Sequence, residues 1–359
     1  MIVTVTNGEN LIKAVKDAET MNITKIIIDA DEITLNAPVH IPKKLKALSK
    51  YLIIDGCGTT IKAGVPMPYL IGRPQPVDAN EANNIMQSQG FEITNMFLDC
   101  KGIADYGIQM RCTYHDHIKR VTVISALKGG IVEEFGMNCL IEQCETRNIS
   151  GIGIGLHNGT YPGAGYNKSG SNMGTVSQCR SFPKQGQTAC FSSMASGNTA
   201  FIRCTVDAAS NQIPMRGFWV VNDGSTTCKS VRITDFWAET TTSVAMIDLS
   251  LTGGYAHISG GYPQYAGTMV RAQGTNYSEV HIERYGNING SAKFEAIDQD
   301  TCWYFGANAT SYDFTNPTNW IASTLPGKYF IEGFHYNKEW SLRANGATKL
   351  NGKNILTQP

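Results

Sequence analysis

Three short segments decide the fold: IEQCE (Ile141–Glu145), VSQCR (Val176–Arg180) and FIRCT (Phe201–Thr205). Each opens on an apolar residue, carries a polar residue two positions later and a cysteine three positions later. The same pattern extends outward to ITNMF from Ile93 and IKRVT from Ile118, and to ITDFW from Ile233, ISGGY from Ile258 and IERYG from Ile282. The eight segments are spaced by 25, 23, 35, 25, 32, 25 and 24 residues. A second series keeps step with the first, anchored at Ile108, Ile131, Ile154, Cys190, Trp219, Met246, Met269 and Phe294. Two β-branched or aromatic segments per period, with no helical periodicity between them, describe the coils of a β-solenoid.

The polar and apolar columns test this alignment, because a slip of one residue would exchange the inner and outer faces. Two residues after the first-series anchors stand Asn95, Arg120, Gln143, Gln178, Arg203, Asp235, Gly260 and Arg284, a column expected to face water. One residue further stand Met96, Val121, Cys144, Cys179, Cys204, Phe236, Gly261 and Tyr285, expected to face the core. Cys144, Cys179 and Cys204 then form a ladder of buried free thiols on coils roughly 4.8 Å apart, acting as small hydrophobes.

At the N-terminus, Asn7 is positioned to cap a helix over residues 9–19, whose Leu11, Ile12, Val15 and Ala18 line one face. Such a helix would plug the open end of the solenoid. The expected organisation is a capping helix and first coils over 1–62, regular coils over 63–299 with insertions at 156–174 and 207–217, and a β-rich cap or assembly segment over 300–359, which gains Trp303, Trp320 and Trp340.

The 359 residues are 42% hydrophobic and 17% charged, enough to bury a sizeable core. Thirty basic residues balance thirty acidic ones, so nothing in the charge suggests a nucleic-acid partner. No segment has the length and polarity of a membrane span or a secretory leader, so the expectation is synthesis in a cytoplasm without membrane insertion. Ten cysteines in a chain this large do not call for a disulfide framework, and without a CxxC pair no zinc site is expected. No cofactor is implied.

The stretch KIIIDADEITLNAPVHIPKKLKALSKYLIIDGCGTTIKA (Lys25–Ala63), with its Ile41-Pro42 step and the turn built from Gly56, Gly58, Thr59 and Ile61, resembles the first coils of pectin-lyase-like right-handed parallel β-helices. The resemblance covers about residues 1–300 in architecture. That family includes pectate lyases, polygalacturonases, rhamnogalacturonases and many bacteriophage tailspikes and fibres. The paired carboxylates of polygalacturonases and the calcium-binding aspartates of pectate lyases have no counterpart in this sequence.

Candidate site residues follow from the coils and their insertions. Three residues after the second-series anchors stand Arg111, Glu134, His157, Ser193 and Asn222, a polar column with neighbours about 5 Å apart. In it Glu134 would orient His157 as a general base while Arg111 binds an anionic group and Asn222 contacts substrate; the plainer alternative is an Arg111–Glu134 ion pair beside a histidine. Tyr161 and Tyr166, in the longest insertion, are placed to stack on a sugar ring. Asp223 and Asp248 fall on adjacent coils at very roughly 8 Å, a gap that suits an inverting glycosidase. The alternation, however, points Asp248 inward. His257 and His281 precede consecutive anchors as a surface pair without a third metal ligand.

The resemblance and the absence of a leader together imply a phage virion fibre or tailspike that attaches to a host surface polysaccharide or decorates the particle. It would be a homotrimer joined to other virion proteins. The alternatives are a polysaccharide hydrolase or lyase using the outward carboxylates, and a purely structural virion component.

Overall fold

The computed structural model describes residues 1–47, 51–78, 80–81, 90–157, 173–194, 197–207, 212–221, 230–263, 267–275, 278–283, 292–297, 301–305, 328–331, 349–350 and 353–354. Among the described residues the strands form a twenty-stranded and a ten-stranded parallel sheet, and the short pair Lys349–Leu350 and Lys353–Asn354 runs antiparallel. The chain is a right-handed parallel β-helix, the hand that parallel crossovers take.

The first-series anchors are in register from coil to coil without a slip, from Ile93 through Ile118, Ile141, Val176, Phe201, Ile233 and Ile258 to Ile282. The ladder continues upstream through Ile54 and Ile26 to Val3. It also continues past residue 300, where Cys302–Phe305 pairs with Glu279–Ile282 and Lys328–Ile331 pairs with Cys302–Phe305. The repeat is lost there in the sequence but the stacking is not, and Trp303 is buried in the core.

The polar column has a backbone role. Asn95, Arg120, Gln143, Gln178, Arg203, Asp235 and Gly260 all have φ between 52° and 64°, the left-handed conformation. Each bends its coil at a corner, and all but Gly260 leave a side chain at the surface. An L-residue other than glycine pays about 1–2 kcal/mol in this conformation, and the ladder offsets that cost by keeping corner amides bonded. Gln143 N–H donates to the Ser177 carbonyl at 3.0 Å, Gln178 N–H to Ile202 at 2.8 Å and Arg203 N–H to Thr234 at 2.9 Å.

The next residue turns back inside: Met96, Val121, Cys144, Cys179, Cys204 and Phe236 are all buried. The three thiols are free and reach backbone carbonyls, Cys144 Sγ to Glu142 at 3.3 Å and to Ile118 on the preceding coil at 3.5 Å. Above them the core turns aromatic. Phe218 stacks on Phe191 with ring centroids 5.1 Å apart and meets Phe201 and Phe236 edge-on.

The N-terminal helix spans Gly8–Asp17, and the side chain of Asn7 accepts the Asn10 N–H at 2.9 Å. Its buried face of Leu11, Ala14 and Val15 joins the solenoid core.

The second series needs a correction. The residues in register with Ile108, Ile131 and Ile154 are Phe191, Phe218, Ile247 and Val270, one position after Cys190, Met246 and Met269 and one before Trp219. The reason is a doubled inner position. The residues preceding these, Gly107, Gly130, Gly153, Cys190, Gly217, Met246 and Met269, are buried as well, so simple alternation fails at the start of each strand.

Two outcomes test this interior. Burial holds the thiols of Cys179 and Cys204 above the ordinary range, Cys204 up to about 12, so iodoacetamide labelling followed by peptide mass spectrometry should leave Cys144, Cys179 and Cys204 unmodified in native protein and modify all three in urea. Phe218→Ala should lower the urea-unfolding free energy by about 3–5 kcal/mol, read from the transition midpoint.

Candidate functional site

The ten-stranded sheet presents two outward rows where the sequence-predicted site residues collect. One row runs Gln109, Val132, Gly155, Ser192, Trp219, Asp248 and Arg271, and the other runs Arg111, Glu134, His157, Met194, Val221 and Ser250. The residues on either side of the first row, Ile108, Met110, Ile154, Leu156, Phe218, Val220, Ile247 and Leu249, belong to the core, while Gln109, Val132, Ser192 and Asp248 of that row are outward but sheltered, each under 9% exposed. The pleat therefore sends alternate side chains to opposite faces and fixes the rows in space.

At the N-terminal end, Arg111 Nε donates to Glu134 Oε2 at 2.7 Å and Gln109 Nε2 donates to Glu134 Oε1 at 2.7 Å. One carboxylate is thus clamped by two donors on the preceding coil. The pair is sheltered, with the side chains 16% and 18% exposed. The ring of Tyr106, half-buried, lies over the backbone of Gly129 on the next coil, where a Cβ would meet Tyr106 Cδ1 at 2.7 Å. Gly155 leaves room in the same way for His157, whose Nε2 is 2.6 Å from Ser192 Oγ. Burial pushes the His157 imidazole down to about 4, against the opposing charge of Glu134. The ring is therefore neutral at pH 7.

At the C-terminal end, Arg216 Nε donates to Asp248 Oδ2 at 2.5 Å, and the Arg216 guanidinium lies over the Trp219 ring, 4.6 Å from its centroid. Asp248 faces outward, contrary to the inward position that the sequence alternation gives it. With Ile247 rather than Met246 aligned on Phe218, the following residue lands on the outer face.

The same one-residue shift corrects the polar column. Met194 follows His157 in register, and Ser193 turns inward to hydrogen-bond Thr199 at 3.2 Å. The column reaches Val221 where the sequence reading had Asn222. Asn222, Asp223, Tyr161 and Tyr166 lie outside the described residues. Ser192, Arg216 and Trp219 are missed from sequence because the slipped anchors place them off the outer rows, and Tyr106 and Gln109, on a coil whose anchor holds, because the polar column follows only the third position after each anchor.

Beneath the outer rows lies a buried polar cluster. Glu133 points inward where Glu134 points outward, and Thr113 Oγ1 donates to Glu133 Oε2 at 2.8 Å. Asp116 Oδ1 accepts the Phe91 N–H at 3.0 Å. Arg73 donates to the carbonyls of Arg111 at 2.9 Å, Cys112 at 2.7 Å and Pro42 at 3.2 Å. Burial pushes Glu133 up to about 7 and Asp116 well above the usual carboxylate range, each in part opposed by Arg73.

On the outer face of the other sheet, His257 and His281 are register partners, but each meets a glutamate, Glu283 at 3.3 Å and Glu279 at 3.0 Å. Among the described residues no three His, Cys, Asp or Glu side chains converge as a metal cage, and no helix there is long and apolar enough to cross a membrane.

Coils, corners and sheets of this geometry define a parallel β-helix, the fold expected from Lys25–Ala63. Two solved structures share it. An alginate lyase from Paenibacillus sp. str. FPU-7 superposes with a TM-score of 0.53 at 10% identity, covering 91% of this chain and 99% of its own. Tailspike protein 3 of bacteriophage CBA120 superposes with a TM-score of 0.50 at 11% identity, covering 99% of this chain and 62% of its own. No protein-family model matches the chain, and no curated protein matches it by sequence.

The buried cluster sets a pH dependence of stability. Glu133 binds its proton more tightly folded than unfolded, so its contribution is fully present below its ordinary pKa near 4.5 and is lost as pH rises through about 7. Glu133→Gln should therefore gain stability relative to wild type by roughly 2–3 kcal/mol between pH 5 and pH 8, measured by urea unfolding at both values.

Proposed function

We propose that the chain is a fibre- or tailspike-like virion protein that attaches to host surface polysaccharide through the outer face of its ten-stranded sheet. The observation that carries this reading is the arrangement of that face in two clusters: Tyr106 with Gln109 and Glu134 toward one end, and Trp219 with Arg216 and Asp248 four coils on. Partly exposed rings supply contact area for a sugar, and clamped side chains offer donors and acceptors whose ordering cost is already met. Tyr161, Tyr166 and Asn222, which lie outside the described residues, are the further substrate contacts of this proposal, and Arg111 holds Glu134 in place. A homotrimer displayed on the virion surface among other virion proteins completes this reading, which the likeness to a bacteriophage tailspike supports.

A second reading, a polysaccharide hydrolase or lyase, is favoured by one specific feature. His157 is kept neutral and hydrogen-bonded beside Glu134, which suits a general base, and Asp248 with Asp223 forms the other candidate carboxylate pair.

Binding to host cells and release of reducing ends should be measured on the same protein. Attachment predicts saturable cell binding without product, and a loss of affinity of about tenfold, or roughly 1.4 kcal/mol, for Trp219→Ala and for Tyr106→Ala with the circular dichroism unchanged. Oligosaccharide release that disappears in Glu134→Gln or Asp223→Asn would establish the enzyme instead. Neither binding nor product would leave a structural role.

A further inference from the structure

We infer that the outer strip of the ten-stranded sheet is built for an uncharged glycan and discriminates against polyuronates, an inference that rests on the attachment reading above. The argument is one of charge already spent. Both arginines flanking the aromatic positions have a carboxylate on the following coil: Arg111 is bonded to Glu134 at 2.7 Å and Arg216 to Asp248 at 2.5 Å. These pairs are sheltered, between 11% and 18% exposed, so solvent screens them little.

An incoming carboxylate would have to displace Glu134 or Asp248 or sit beside it. Displacement leaves a half-buried anion without its partner, and juxtaposition places like charges together, both of which are costly. Glu134 is further committed, since Gln109 also donates to it at 2.7 Å. Burial keeps His157 uncharged, so it adds no cation. Next to Asp248 the row continues with Arg271, so the signs alternate there rather than accumulate.

Neutral sugars fit this surface on chemical grounds. Each clamped carboxylate keeps acceptor lone pairs for hydroxyl donors, and the rings of Tyr106 and Trp219 offer apolar area to the C–H face of a pyranose. No step in such recognition needs a net charge.

The experiment is binding of the full chain to a printed array of bacterial surface glycans, neutral and acidic, with alginate and polygalacturonate as polyanion probes. Wild type should bind neutral glycans with less than about twofold change in affinity between roughly 50 and 500 mM salt, a range over which exposed charge attraction is largely screened. It should not bind alginate or polygalacturonate. Glu134→Gln and Asp248→Asn each uncover a guanidinium, and each should acquire alginate binding at least tenfold above wild type that vanishes at high salt. Thermal melts identify a variant that fails to fold, and the wild-type selectivity tests the inference without either substitution. Wild-type binding confined to acidic glycans overturns the inference while leaving attachment standing. Absence of binding across the whole array overturns the attachment reading and the inference with it.

Discussion

A parallel coil can stack on its neighbour only if both turn their corners at the same residue. That constraint is met by the left-handed positions two residues after the first-series anchors from Ile93 to Ile258, all seven of which lie between φ 52° and 64°. Glycine or asparagine would adopt this conformation most readily, yet arginine occupies it at Arg120 and Arg203 and glutamine at Gln143 and Gln178. The local sequence therefore does not impose the corner. The ladder does, because a corner amide that missed the carbonyl of the next coil would be left without a partner. Each coil is strained slightly so that the stack can continue.

From that constraint the interior follows. Once the corner is fixed, the next side chain must enter the core, and the space between stacked coils limits its size. Cysteine fits at Cys144, Cys179 and Cys204, where the thiol also reaches backbone carbonyls close to the corner. Phenylalanine fits where Phe236 meets the widening aromatic stack. Small size and weak donor capacity suffice to account for this ladder, and burial that raises the Cys179 and Cys204 thiols keeps those two chemically quiet.

The legibility of the fold differs between the two sheets for the same reason. The first series alternates cleanly around an obligatory polar corner, so its register reads directly from IEQCE, VSQCR and FIRCT. The second series has two adjacent inner residues at the start of each strand, such as Cys190 with Phe191 and Met246 with Ile247. Apolar runs of this kind give no phase, and the anchors slip by one. The slip is harmless for the fold and decisive for the site. It moves Asp248 from the core to the outer face, exchanges Ser193 for Met194, and hides Trp219 as an anchor. Arg111, Glu134 and His157 escape because GIQMR, GIVEE and GIGLH share an unambiguous isoleucine.

The pleat that makes the site also ties it to the core. Glu133 and Glu134 are consecutive residues with opposite surroundings: one is fully buried beside Thr113 and Asp116, the other is held outside by Arg111 and Gln109. Burial disfavours the charged form of the first, while the second has an opposite charge and two donors to accept from. Arg73 and Arg111 exchange hydrogen bonds through each other's carbonyls, at 2.9 and 3.2 Å, and so link the inner and outer groups across a single layer of backbone. A ligand on the outer face therefore meets side chains whose positions are set from beneath. On the outer face of a solenoid, this anchoring is what can make a surface selective, because selectivity depends on groups that cannot rearrange to suit the wrong partner.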